Sequence, residues 1–325
     1  MFRSLVSLGL ALFSPAALAQ ATPIKVKVFP GAQNLPLFAG QSQGIFERYG
    51  LAVEILFTQN SQEQRDGLAK GDFQIAHAAV DNAVSMIERG KHDVVIVAGG
   101  DSSMNELFVQ PEVRSFAELK GRTVIVDAPN TAYALQLKKI LLMNGLREGA
   151  DYTVKPIGAT YLRLDALRTN KEYAASMLNP PFSIEARDAG LKSLGRATDL
   201  IGPYQGSGAF VMRPWAKANA DALERYLAAY LEGVRWAVAP QNRAAGARLL
   251  ADRLKLPAAV AERTVEVMRD PGFGLAPEAR FDMQGFRNVL ALRAEIEGDW
   301  GGKPPSSERY VDLTYYERAR QRLRH

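Results

Sequence analysis

IKVKVFPGAQNLPLFAGQSQGIFERYGLAVEILF, residues 24–57, changes its hydrophobic period twice. From Ile24 to Phe29 apolar residues alternate with lysines, the period of a strand with one covered face. Pro30-Gly31 breaks that run, and Leu37 to Tyr49 carries apolar residues at helical spacing. Leu51 to Phe57 then returns to strand character, so the stretch is a strand–helix–strand unit. Two strands joined through a helix run parallel, which points to an α/β fold.

Downstream the alternation continues. Ser61 with Gln64 three residues on forms a capping-box start for a helix that ends at Gly71. Phe73 to Ala76 is a short strand, Asp81 caps a helix Asn82 to Glu88, and Val94 to Ala98 is an unbroken apolar run suited to a strand covered on both faces. The rhythm restarts after Pro111. Arg122 to Val126, Tyr152 to Pro156, Tyr173 to Met177 and Leu191 to Leu194 read as strands, with helices Thr131 to Asn144, Tyr161 to Arg168 and Phe182 to Ala189 between them. Ala209 to Met212 resembles a strand returning to the first unit, preceded by the flexible Gly206-Ser207-Gly208, and from Pro214 onward the chain is helical. The expected organisation is a first lobe in 20–110, a second lobe in 111–206 inserted into it, and a return strand with C-terminal helices in 207–325. The chain then passes twice between lobes, near Leu107 to Gln110 and near Gly206 to Phe210.

Arg3 followed by the apolar run Leu5 to Phe13, then Pro15 and Ala17-Leu18-Ala19, is the pattern of a secretory signal peptide cleaved after Ala19. The expected location is the periplasm. The net charge is +5, or +4 once Arg3 is lost, and no basic stripe interleaved with aromatics suggests nucleic acid. The chain has no cysteine, which excludes disulfides, thiolate metal sites, thiol nucleophiles and a lipidated N-terminal cysteine. His77, His92 and His325 are its only histidines, too few for a His-based metal cluster, and no cofactor is expected.

Four motifs carry a family resemblance: Gly44-Ile45-Phe46-Glu47-Arg48-Tyr49-Gly50-Leu51-Ala52-Val53-Glu54, Asp72-Phe73-Gln74-Ile75-Ala76-His77, Ser115-Phe116-Ala117-Glu118-Leu119-Lys120-Gly121-Arg122-Thr123-Val124 and Asn179-Pro180-Pro181-Phe182. In order and spacing the chain resembles the nitrate/sulfonate/taurine class of periplasmic substrate-binding proteins of ABC transporters. That resemblance implies the type II periplasmic-binding-protein fold: two α/β lobes, mostly parallel sheets flanked by helices, two hinge crossings and a helical C-terminal region. It further implies a monomer that holds a small polar or anionic solute between the lobes and delivers it to a membrane permease and its ATPase. The chain departs from its relatives at Ala78, where they often carry a hydroxyl residue.

Ligands of open α/β sheets sit beyond the carboxyl ends of the strands, where helix starts offer free N–H groups. The loops there are Gly31 to Leu35, His77 to Asn82, Asp101 to Ser103, Asp127 to Thr131 and Asn179 to Phe182. They nominate Asn34, His77, Asp81, Asn82, Ser102, Asn130, Thr131, Asn179 and Phe182 as ligand contacts, with the solute's negative end against Asn130-Thr131. Most of these have a structural use as well: Asn34 in a turn, His77 as a satisfied histidine, Asp81 and Thr131 as helix caps, Ser102 in a hinge approach, Phe182 in a core. Arg163 and Arg168 lie on one helix face and read as a solvated arrangement, with an anion clamp as the lesser alternative. Two other functions share the fold class: an enzyme of dehydratase or decarboxylase type using His77 with Asp81, and a sensory protein presenting its solute to a receptor. Relatives that work on sulfinates or pyrimidine precursors use a cysteine that this chain lacks.

Overall fold

The structure is a computed structural model that describes residues 20–323; the expected signal peptide with its cleavage site, and His325, lie outside the described residues. The chain begins with β1 (Thr22–Val28), α1 (Leu35–Ser42), α2 (Ile45–Arg48), β2 (Leu51–Phe57), α3 (Ser61–Lys70), β3 (Ile75–Ala79), α4 (Asp81–Glu88) and β4 (Val94–Gly99). A second run follows: β5 (Glu106–Val109), β6 (Thr123–Val126), α5 (Ala132–Met143), β7 (Thr153–Pro156), α6 (Thr160–Thr169), β8 (Tyr173–Leu178), α7 (Phe182–Asp188), β9 (Lys192–Arg196) and α8 (Ala197–Ile201). β10 (Ser207–Met212) leads to α9 (Arg213–Ala218), α10 (Ala220–Val238), α11 (Arg243–Leu254), α12 (Ala258–Arg269), α13 (Met283–Glu297) and α14 (Thr314–Arg322).

Two five-stranded sheets result, ordered β2-β1-β3-β10-β4 and β7-β6-β8-β5-β9. In each, the fourth strand runs antiparallel to both neighbours and the rest are parallel. That antiparallel strand is the one arriving from the other lobe, so the lobes exchange a strand each. Glu106–Val109 is therefore a strand of the second sheet, with Glu106 opposite Leu178 and Val109 opposite Ala175, and not the crossing expected near Leu107 to Gln110. The first crossing lies earlier, between β4 and β5, and the second runs from α8 to β10.

The alternation in β1 orients the first sheet: Ile24, Val26 and Val28 are buried in the core, while Lys27 on the other face reaches Glu63 at 2.6 Å. β4 is buried at every position, as its unbroken apolar run requires. α3 is capped one residue before the expected box. Asn60 is the extended residue that accepts from the Glu63 amide at 2.9 Å, and the Glu63 carboxylate takes the Gln59 N–H at 3.1 Å.

α10 is the central C-terminal helix. It buries Leu223, Tyr226, Leu227, Tyr230, Leu231 and Val234 in the first lobe's core. Gly233 lets it approach α1 closely, because a Cβ there would stand 2.4 Å from the Pro36 carbonyl oxygen. The lobes also meet at the surface, where Arg263 of α12 grips both carboxylate oxygens of Asp188 of α7. No helix among the described residues is long and apolar enough to cross a membrane.

Candidate binding cleft

At the carboxyl ends of the parallel strands the two lobes enclose a cavity with about 850 Å³ of open space, counting its mouth. Phe29, Asn34, His77 and Asn82 line it from the first lobe, Thr131, Tyr133, Thr160 and Asn179 from the second, and Asp101, Gly206 and Ser207 from the crossings.

Of the nominated residues the cavity brings together Asn34, His77, Asn82, Thr131 and Asn179. Their neighbours fix which way each amide points. Asn34 spends its amide hydrogens on the Phe29 and Gly31 carbonyls, at 2.7 and 3.2 Å, and keeps its oxygen as an acceptor. Asn82 does the opposite: its oxygen takes Arg65 Nη1 at 3.2 Å, leaving the NH2 as a donor. Asn179 accepts from the Thr160 hydroxyl at 2.9 Å and donates across to Gln33 of the first lobe at 3.3 Å. His77 shares a 2.9 Å hydrogen bond between Nε2 and the Tyr226 hydroxyl, with Tyr230 edge-on at 4.6 Å between ring centroids. Burial pulls its pKa down to about 3, so the ring is neutral. The Thr131 hydroxyl donates back to the Ala128 carbonyl at 2.9 Å; it does not take the helix-capping bond expected of it.

Four nominated residues lie elsewhere. Asp81 starts α4, makes no cap bond, and pairs at 2.7 Å with Arg293, both groups being fully buried. A buried carboxylate requires such a cation more than a helix start requires a cap. Asn130 is half-buried outside the cavity lining, and its carbonyl accepts from the same Arg293 at 3.5 Å. Ser102 is half-buried between Asp101 and Ser103, and those two face the cavity in its place. Phe182 packs with Phe108, Ile125 and Leu164 in the second lobe's core, where its apolar ring is best buried.

The lining holds charges outside the nominated set. Arg163 is 1 % exposed and donates to the Gly158 and Met177 carbonyls and the Thr160 hydroxyl, with its guanidinium 5.2 Å from the centre of the Tyr133 ring. Burial lowers its pKa against the opposing pull of Asp127 and Tyr133. Asp127 takes the Ser61 hydroxyl across the cleft through Oδ2. Asp101 accepts from the Ser103 amide at 2.8 Å, the Ser207 amide at 3.3 Å and the Ser207 hydroxyl; burial raises its pKa while these bonds oppose the rise. Among the described residues no three His, Asp or Glu side chains gather as a metal site would require.

Residues 32–244, more than half of the chain, match the NMT1/THI5-like family. The chain belongs to that family. A Brachyspira hyodysenteriae protein named as an ABC transporter periplasmic binding protein is 23% identical over 242 residues, covering 69% of this chain and 68% of that protein. The periplasmic nitrate-binding protein NrtA from Synechocystis superposes with a TM-score of 0.80 at 15% identity, over 94% of this chain and 89% of the other. The alkanesulfonate-binding protein SsuA from Xanthomonas axonopodis, bound to MOPS, gives 0.72 at 17% identity, over 90% and 99%. At such identities the likeness is one of fold, and the fold is the two-lobe periplasmic-binding-protein fold.

In this NMT1/THI5-like chain the overlooked residues obey the rule that found the others. Ser61 follows β2, and Thr160 with Arg163 follows β7; both loops end parallel strands at the cleft, and neither was among the loops considered. Tyr226 and Tyr230 leave no local signal, because they reach His77 from α10 through the core. The arrangement can bind by directed hydrogen bonds, and the pairing of His77 with Asp81 expected of an enzyme is not made: His77 meets tyrosines, and Asp81 meets Arg293.

Proposed function

We infer that the protein is the solute-binding component of an ABC importer, and that it takes up a small polar organic solute between its lobes and presents it to a membrane permease and ATPase. The observation that carries this reading is a cavity walled by both lobes, in which Asn34 offers an acceptor and Asn82 a donor. Membership of the family and the name of the Brachyspira relative support it. Catalysis is not part of the reading, because a neutral His77 bonded to Tyr226 has no carboxylate partner to work with. The protein acts as a monomer in the periplasm, exported by the segment Met1 to Ala19.

Native protein released gently from cells should carry its solute. Mass spectrometry of the released molecule, followed by calorimetric titration back into solute-free protein, is expected to give one-to-one binding and unchanged compound after prolonged incubation. Turnover would establish the enzyme reading. The N-terminal sequence of the periplasmic form should begin at Gln20, and a chain retained with Met1 would defeat the export reading.

A further inference from the structure

We propose that Asp127 selects the solute, its free carboxylate oxygen taking a hydrogen bond from an N–H group, so that the cleft prefers organic molecules bearing an amine, amide or amino-substituted ring over simple anions. The proposal rests on the solute-binding reading above and assigns the chemistry of that same cleft.

Asp127 begins the loop directly after β6 and lines the cavity. Its Oδ2 is occupied by the Ser61 hydroxyl, whereas Oδ1 is buried and has no partner. The nearby cations are committed elsewhere. Both terminal nitrogens of Arg163 go to Gly158, Met177 and Thr160, and those of Arg65 go to Asn82 and Gln62. Among the described residues Asp127 therefore makes no ion pair, and this cavity-lining side chain keeps one carboxylate oxygen without a donor. A buried acceptor without a donor is costly, and an incoming N–H removes that cost.

A simple anion meets the reverse situation. To reach the one unpartnered nitrogen of Arg163, its Nε, it enters a cavity that also carries the carboxylates of Asp127 and Asp101. Like charges at short range in a low-dielectric cleft repel strongly. The remaining groups suit a molecule with donors and acceptors at different ends. The Asn34 oxygen is a second acceptor, the Asn82 NH2 and Arg163 Nε are donors, and Phe29, Tyr133 and Tyr204 supply apolar faces.

The test uses the full mature chain, unfolded and refolded to remove bound solute, with matched probes: taurine and ethanesulfonate, nicotinamide and nicotinate, para-aminobenzoate and benzoate, and nitrate alone. Thermal melts and calorimetry should show binding by a member bearing N–H, with its counterpart about ten- to a hundredfold weaker, the range for a charge-assisted hydrogen bond. Asp127→Asn should weaken the N–H-bearing probe by a similar factor. It should also strengthen binding of the N–H-free anion, because it replaces an acceptor by a donor and removes a charge. Ser61→Ala keeps the carboxylate and should keep the preference, which separates selection from a merely structural bond across the cleft. Binding of nitrate or ethanesulfonate as tight as any N–H-bearing probe, or an unchanged ratio in Asp127→Asn, overturns the assignment and leaves solute binding standing. No binding by any probe, together with no molecule released from natively isolated protein, overturns both.

Discussion

His77 lies inside β3, where its Nε2 meets the Tyr226 hydroxyl and its ring packs against Tyr230, with no charged partner. The consequence is a pH dependence of known sign. The native ring stays neutral down to about pH 3, whereas in the unfolded chain it gains a proton below about pH 6.5. Because the unfolded state then binds more protons, this contribution to stability is complete above the unfolded value and is lost as pH falls through the window. The slope approaches about 1.4 kcal/mol per pH unit once the unfolded histidine is fully protonated. Urea unfolding of the parent between pH 7 and pH 5 should therefore show falling stability, and His77→Gln should flatten the profile by nearly one proton. Equal slopes would mean that His77 is charged in the native state. Asp101, whose pKa burial raises, acts with the opposite sign, and comparing the parent with His77→Gln cancels it because both proteins carry Asp101. Which residues line the cleft was legible for polar side chains near the carboxyl ends of strands, as with Asn34 in the loop after β1, His77 in β3 and Asn179 directly after β8. Arg163 was not legible, because on the α6 sequence it looks like any helix-surface arginine. Only folding brings the Gly158 and Met177 carbonyls around its fork.

Among the elements, α3 separates two roles that adjacent residues can confuse. Asn60 closes the helix start by accepting the Glu63 amide, and Ser61 reaches across the cleft to Asp127. Asn60→Ala should therefore cost about 1 kcal/mol in denaturant unfolding through the lost cap. Ser61→Ala should leave the cap intact; a cap-sized loss from Ser61→Ala with none from Asn60→Ala would restore the sequence-based capping box. Element boundaries were readable wherever a breaker and a period change coincide, as at Pro30-Gly31 between β1 and α1. The helix expected over Leu37 to Tyr49 divides instead into α1 and α2, with Gly44 at φ 61 between them. β5 was missed because four residues, Glu-Leu-Phe-Val, are too short to show a period. All four are buried between β8 and β9, which only the second sheet's assembly reveals.

For the whole molecule the informative region is the pair of crossings, which the sequence presents as a flexible glycine hinge and the structure presents as a packed junction. The Gly206 amide donates to the Asp101 carbonyl at 2.9 Å, and the Asp101 side chain holds Ser103 of the first crossing and Ser207 of the second. Neither Gly206 nor Gly208 has a positive φ, so what they supply is closeness and not conformational freedom. A Cβ on Gly206 would stand 2.1 Å from the Ser103 nitrogen, and one on Gly208 2.6 Å from the Ala98 carbonyl oxygen. Motion of the lobes then has to pivot about a stitched pair of segments and not through free rotation at these glycines. Gly206→Ala decides between the two pictures. In a flexible hinge alanine at a negative φ is tolerated and removes only unfolded-state freedom, so stability should hold or rise slightly. In a packed junction the added methyl must push the crossings apart, costing about 1–3 kcal/mol and changing the angle between the lobes. We expect the second outcome, read as a lower denaturant midpoint together with an altered small-angle scattering profile for the folded protein. An alanine variant as stable as the parent and with the same scattering would return the hinge to the glycines.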